Sequence, residues 1–383
     1  MKKRILFIVL ALVCLIPSTP LAAESPATEA KNKVLLESKG GASYIPARAL
    51  NGFSDIEVKW SPSSKKIELI EGDTHLSLIV GETSASLNET VVPLSGAAFV
   101  EDGAVYVPLK LVLDKLKLSA EWSKAPSSVS IGDGDQKLLL PAVARGQSSA
   151  AKKPVKHEQK TFKIAKKSFT VQMITVDLMH PGIRLDVVLA GDQAGKVEDL
   201  SSMAKRSKAV VAINGTFFNA YTEDSYKAPY GYIVSGGELK MKASGDQRTI
   251  FTYDHNMLAN MIPGSDFNDH FLQGSIEGAI QAGPRLLKDG AVALDVKTEG
   301  FRDPKILTGG GARSALGITR NHELLLVTSS GATIPQLAEI MKQAGAVQAM
   351  NLDGGASSGL YYNGKYITKP GRKISNALII TLQ

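Results

Sequence analysis

The sequence predicts an α+β protein: a C-terminal mixed-sheet domain with flanking helices, preceded by a small α+β module made of two repeats. Three observations carry this reading. Runs of alternating apolar and polar residues, the period of a half-buried strand, recur along most of the 383 residues. A block near the start is echoed 62 positions later. In the second half, two stretches each read as an amphipathic helix followed by an apolar strand ending in asparagine. With 44% hydrophobic and 21% charged residues the chain has the composition of an ordinary globular protein, and its length allows two domains with a full core.

Residues 1–23 read as a cleavable secretory signal. Lys2, Lys3 and Arg4 precede an apolar run over 5–16, prolines 17 and 20 break it, and Leu21-Ala22-Ala23 gives a small-residue end with cleavage after Ala23. Cys14, the only cysteine, lies inside this signal and follows Val13 rather than the small residue a lipid anchor needs. The mature chain then has no thiol, which excludes disulfides, cysteine metal sites and cysteine nucleophiles together. No later stretch approaches about 18 apolar residues, so no membrane span is expected after signal removal. The expected location is secreted or cell-envelope associated. Losing Lys2, Lys3 and Arg4 takes the formal charge from +7 to +4, and 145–167 holds eight basic residues against Glu158 alone. A nucleic-acid protein spreads arginine and aromatics over a folded face, so nucleic acid is not an expected partner.

After a small, polar stretch over 24–32, residues 33–133 contain the repeat. Tyr44-Ile45-Pro46-Ala47-Arg48 is echoed by Tyr106-Val107-Pro108-Leu109-Lys110, and Trp60 and Trp122 each follow their tyrosine by 16 residues. Each copy reads as a strand, a short helix, a turn before the tryptophan and an alternating strand such as Ile67-Glu68-Leu69 or Val129-Ser130-Ile131. Between them, 75–80 and 85–92 read as hairpin strands. This pattern resembles the copper amine oxidase N-terminal-like domain of secreted bacterial proteins. The resemblance implies a non-catalytic module for attachment or spacing at the cell envelope. It implies no copper, because His75 is the only histidine in the span.

Residues 138–160, rich in Ala, Ser, Lys and Pro, read as a basic linker, either a solvated tether or a segment attracted to anionic wall polymers. The second domain is expected over 161–383. Strands over 167–179 and 183–189 turn at Pro181-Gly182; a helix over 197–207 leads into a buried strand over 209–213 that ends at Asn214. The order recurs with Thr333 capping a helix, Pro335 in its first turn, Gly345 ending it and a strand over 347–350 that ends at Asn351. Both asparagine loops are expected to open on one cleft. Asn363-Gly364 reads as a two-residue hairpin, and 372–382 as the strand that closes the sheet.

The segment 350–363, MNLDGGASSGLYYN, is a strand, a tight polar loop and a strand. Glycines this dense cost backbone entropy unless positive φ or close approach requires them. The G-x-S-x-G at 355–359 is not a hydrolase elbow, because a strand follows it and the last histidine, His322, precedes it. The other histidines lack metal-ligand spacing, although Asp353, Asn351 and loop carbonyls offer an oxygen-rich position that calcium could occupy. Carboxylate, amide and guanidinium chemistry remains. A phosphate leaving group carries its own negative charge, so a cation such as Arg313 can replace a strong general acid. No cofactor is required.

The segments 213–218 (INGTFF), 281–284 (QAGP), 313–317 (RSALG), 351–358 (NLDGGASS) and Arg372 with Asn376 together resemble the phosphodiester glycosidase family. The resemblance covers about 167–383 and implies hydrolysis of the glycosidic bond of a sugar-1-phosphodiester, with a sugar-1-phosphodiester or anionic glycopolymer as partner and cell-wall contact through the N-terminal module and linker. Asn214, Arg313, Asn351 and Asp353 match the polar positions of that pocket. Asp353 is the expected nucleophile or general base and Arg313 the phosphate clamp. Asn214 and Asn351 either orient sugar and water or cap strand ends. Gly354, Gly355, Ser357, Ser358, Gly283, Arg372 and Asn376 are expected to line the substrate, and Glu277 is a candidate second carboxylate. Ser314 and Ala356 depart from the family's usual threonine and glycine. The alternative is a non-catalytic envelope protein that binds such polymers.

Overall fold

The structure, a computed structural model, describes residues 31–38, 40–148, 151–243 and 247–383; the expected signal at 1–23 lies outside them. No helix among the described residues is long and apolar enough to cross a membrane. The architecture is α+β, with five sheets and short helices.

The two repeats build the first unit. Ser43–Pro46 pairs antiparallel with Ala104–Pro108: Ile45 faces Val107, flanked by Tyr44 with Pro108 and Pro46 with Tyr106. The repeats therefore cross at a local two-fold. Each then enters a short helix, 3-10 over Ala47–Leu50 and α over Leu109–Lys115, and a hairpin in which Trp60 faces Ile67 or Trp122 faces Val129. The expected strand over 85–92 is instead a hairpin, Ser84–Leu87 with Thr90–Pro93. Asn88 and Glu89 both take positive φ, the signature of a tight primed turn, and the sequence Asn-Glu conceals it because glycine is absent.

The expected linker over 138–160 is corrected. Gln136–Ala144 is an interior strand between Ser127–Asp133 and Val34–Leu36. Val155–Ile164 is an edge strand paired with Lys167–Asp177 from Val155 opposite Val176 to Ile164 opposite Lys167. Exposed lysines on an edge strand block further pairing, and they give such a strand the composition of a tether. Val155 and Phe162 are nevertheless buried. One apolar cluster contains Leu35, Tyr44, Tyr106 and Val143 of the first unit with Ile174, Phe251, Leu316 and Ile380 of the second, so the two units share core.

Three sheets form the second unit. The seven-stranded sheet runs Val155–Ile164, Lys167–Asp177, Glu323–Ala332, Gly311–Thr319, Ala346–Asn351, Arg285–Lys288, Ala291–Val292. A five-stranded sheet runs Ile183–Leu189, Asn376–Leu382, Val211–Asn214, Leu360–Tyr362, Lys365–Thr368, which places the last strand inside the sheet rather than at its edge. The third is built on Gly278–Gln281, flanked by Ile233–Ser235 and Ile250–Tyr253. The helix Ile334–Gln343 starts with a reciprocal box, Thr333 N donating to Gln336 Oε1 at 2.9 Å and Gln336 N to Thr333 Oγ1 at 3.4 Å. It buries Leu337, Ala338, Ile340 and Met341, and Gly345 at φ 98° turns the chain into Ala346–Asn351. Helix Leu200–Arg206 feeds Val211–Asn214 in the same way, and those two strands deliver Asn214 and Asn351 from different sheets.

Candidate active site

The two asparagine loops are stitched together. Asn214 Nδ2 donates to the Asp353 carbonyl at 2.7 Å, and Asp353 N donates to the Gly215 carbonyl at 3.0 Å. Asn214 Oδ1 accepts from Ser314 Oγ at 2.7 Å and from Gly359 N at 3.0 Å. With most of its amide committed to backbone and Ser314, Asn214 fixes the Asp353 loop rather than presenting itself to a substrate. Asn351 does similar work from the other side: its Nδ2 donates to the Gly283 and Leu352 carbonyls at 2.9 and 2.7 Å, while Gly283 N donates to the Asn351 carbonyl at 2.9 Å. Asn351 Oδ1, Thr216 Oγ1 and Ser358 Oγ are buried beside this node without a hydrogen-bond partner among the described residues.

Asp353 sits where these loops meet, its residue half-buried. Protein crowding around the carboxyl disfavours its charge and pushes its pKa from an ordinary 3.8 up to about 7, opposed by hydrogen bonds from Ser357 and the Gly354 amide and by the charge of Arg372. The glycines after it have separate reasons. Gly355 takes φ 62°, which favours glycine. A Cβ at Gly354 would stand 3.1 Å from the Ala312 carbonyl and 3.7 Å from Arg313 Nη1, so the guanidinium lies directly against this loop.

Arg313 is 4% exposed and enters from Gly311–Thr319, where Ala315 faces Asn351. Its Nε donates to the Ala332 carbonyl at 3.0 Å, and Nη2 donates to the Lys305 and Gly309 carbonyls at 2.5 and 2.8 Å. Burial lowers its pKa, with Asp303 acting the other way. It forms no ion pair with a carboxylate among the described residues. The cation is thus held in place by carbonyls, and Nη1 is left facing the loop. Arg372 donates from Nη2 to Tyr221 Oη at 2.8 Å, and its guanidinium lies 4.7 Å from the Tyr221 ring centre. Tyr221 is 79% exposed, and its pKa is lowered by Arg372.

Two expected site residues stand elsewhere. Asn376 is 1% exposed and binds protein on both ends, Oδ1 accepting from Thr216 N at 2.9 Å and Nδ2 donating to Ser375 Oγ at 2.8 Å; it clamps the Asn214 loop instead of lining the substrate. Glu277 precedes Gly278–Gln281 at the end opposite Gly283 and lines a separate cleft with Asp186, Ser235 and Tyr253. The carboxylate beside Gly283 is Glu299, which sequence reading did not single out. A Cβ at Gly283, φ 98°, would stand 2.7 Å from Glu299 Oε2. Glu299 accepts from Thr249 N at 2.8 Å and Arg285 N at 2.7 Å, and burial raises its pKa. Tyr221 was also missed; an exposed loop tyrosine carries no spacing signal. Among the described residues, no group of three or more His, Cys, Asp or Glu side chains gathers as a metal site.

The arrangement therefore joins a carboxyl whose pKa burial pushes up to about 7 with one guanidinium, Arg313, against its loop and a second, Arg372, whose charge reaches it. Residues 207–381 match the family described as phosphodiester glycosidase, and residues 27–131 match the copper amine oxidase N-terminal domain. A curated relative, N-acetylglucosamine-1-phosphodiester alpha-N-acetylglucosaminidase of Mus musculus, is 27% identical over 174 residues, 42% of this chain and 33% of that protein. The chain thus spans about a third of the relative's length. The catalytic domain of the zebrafish enzyme of the same name, auto-inhibited by its pro-peptide, superposes with a TM-score of 0.52 at 21% identity over 62% of this chain and 87% of that one. A hypothetical protein from Synechocystis superposes with a TM-score of 0.51 at 16% identity over 93% of this chain and 99% of that one. These structural likenesses show the fold.

Proposed function

We propose, from the premise that the chain carries a phosphodiester glycosidase domain behind a copper amine oxidase N-terminal domain, that it hydrolyses the glycosidic bond of a sugar-1-phosphodiester. The observation that carries this reading is Asp353, its pKa pushed to about 7 by burial, on a loop that touches buried Arg313 and feels the charge of Arg372. In its ionised form Asp353 attacks the anomeric carbon or takes a proton from the water that does. The bond from that carbon to the phosphate oxygen breaks, the phosphate departs with the bonding pair, and Arg313 and Arg372 meet its charge. Water supplies the hydroxyl that ends on the sugar. No histidine, thiol or metal is needed for this sequence of events. Asn214, Asn351 and Asn376 act as positioning residues that hold the loop.

The finer reading places this activity outside the cytoplasm, on envelope glycopolymers or glycans, because 1–23 has the form of a secretory signal and the N-terminal domain suits envelope attachment. The name of the mouse relative makes an N-acetylglucosamine-1-phosphodiester the first substrate to offer. Purified chain incubated with a panel of sugar-1-phosphodiesters is expected to release reducing sugar from at least one. Saturable binding of polymer with no release from any panel member would replace this reading with that of a non-catalytic envelope-polymer binder.

A further inference from the structure

We propose that the junction between the two units is a second, non-catalytic binding site for a neutral saccharide of two or three residues. A cavity of about 650 Å³ opens there, within the range of roughly 300–1,000 Å³ that small-ligand clefts occupy. One wall belongs to the outer hairpin of the first unit. Ser123 pairs with Ser128, and Ser130 with Leu139, so these side chains share one face, and the serines leave room in front of it. The facing wall is formed by Asn260, His270 and Gln273, with Leu258 and Ile276 as its apolar floor.

The walls are fixed by direct bonds between the units. Gln348 Nε2 donates to the Ala125 carbonyl at 2.9 Å, Ser127 N donates to the Arg320 carbonyl at 3.1 Å, and His322 Nε2 lies 2.6 Å from the Ser127 carbonyl. Ser128 lines the cavity at 6% exposure, and its hydroxyl makes no hydrogen bond to protein among the described residues while staying reachable by solvent. The side chains of Ser130, His270 and Gln273 likewise have no hydrogen-bond partner among them. Polar groups that face the cavity without a protein partner are free to exchange hydrogen bonds with a ligand.

The chemistry of the lining selects the ligand. Hydroxyl, amide and imidazole groups exchange hydrogen bonds with sugar hydroxyls, which are donor and acceptor at once. Leu139 and Leu258 offer aliphatic surface for the C–H face of a ring. Lys137 and Asp254 are of opposite sign and no arginine lines the cavity among the described residues, which suits an uncharged ligand and contrasts with the arginines, Arg313 and Arg372, near Asp353. This site lies apart from Asp353 and stands independently of the glycosidase reading.

The test is calorimetric titration of the full chain, and of its Asp353→Asn variant, with maltotriose, tri-N-acetylchitotriose and inorganic phosphate. At least one trisaccharide is expected to bind saturably to both proteins. Ser130→Trp, which fills the cavity, should weaken that binding by at least about tenfold and leave turnover of a sugar-1-phosphodiester unchanged. If Ser130→Trp lowers the melting temperature, the double variant His270→Ala, Gln273→Ala, altered on outlying side chains, should weaken binding in the same direction. Absence of binding by either trisaccharide overturns the proposal, as does competition by phosphate or binding untouched in folded cavity variants. Trisaccharide binding without any turnover would overturn the glycosidase reading and leave this one standing.

Discussion

Replacing Asp353 by asparagine is expected to abolish turnover and, in the same protein, to raise stability above neutral pH. Both effects follow from one carboxyl. Its pKa is 3.8 in an ordinary setting and about 7 in the fold. Between those values the unfolded chain has released the proton while the folded chain keeps it, so folding stability falls as pH rises through this window, and the loss is complete above about 7. At about 1.4 kcal/mol per pH unit the separation amounts to about 4 kcal/mol, and solvent reaching the half-buried residue trims this to about 2–4 kcal/mol. Asparagine keeps the shape and an acceptor for Ser357 and the Gly354 amide but has nothing to ionise. The assay is chemical unfolding of both proteins across this pH range. The difference between them should be small near about pH 4 and reach the full value near about pH 8. An Asp353→Asn effect that is constant with pH would refute the reasoning, because it would show that the carboxyl is not desolvated.

Further outcomes follow from the same geometry. The wild-type kcat/KM should rise with pH through an apparent pKa near 7, since the ionised Asp353 is the reactive form; a flat profile across neutrality would contradict that role. Arg313→Lys should cost about 10²–10³ in kcat/KM, measured on a sugar-1-phosphodiester, because lysine cannot span three carbonyls and still face the loop. Gly215→Ala should lower stability by about 1–3 kcal/mol in thermal unfolding, because its Cβ would stand 2.1 Å from the clamping oxygen of Asn376.

The parts of this fold that were legible in the sequence are those in which local chemistry and tertiary role coincide. Thr333, Pro335 and Gly345 bound a helix in the sequence and in the structure, and Asn363-Gly364 turns between Tyr362 and Lys365 with both residues at positive φ. The spacing of Tyr44, Trp60, Tyr106 and Trp122 gave the repeat. Legibility failed where the two diverge. The lysines around 152–167 gave the edge strand Val155–Ile164 the composition of a tether, because an edge strand is solvated along one side. Glu277 lay six residues from Gly283 in sequence, but a strand advances about 3.3 Å per residue, so the pair is separated by roughly 20 Å. Glu299 reaches the same glycine from 16 residues further along the chain, through a loop with no distinguishing pattern. The loop 351–359 stood out because its glycines answer to particular neighbours, Gly354 to Arg313 and Ala312, and Gly359 to Pro370.

The most direct measurement of the central claim is the position of bond cleavage when a sugar-1-phosphodiester is hydrolysed by the purified chain in ¹⁸O-labelled water. Attack at the anomeric carbon, steered by Asp353 and with phosphate as the departing group, predicts the label in the anomeric hydroxyl of the released sugar and none in the phosphate. Label in the phosphate would mean that the phosphorus–oxygen bond is cut, and it would contradict the account.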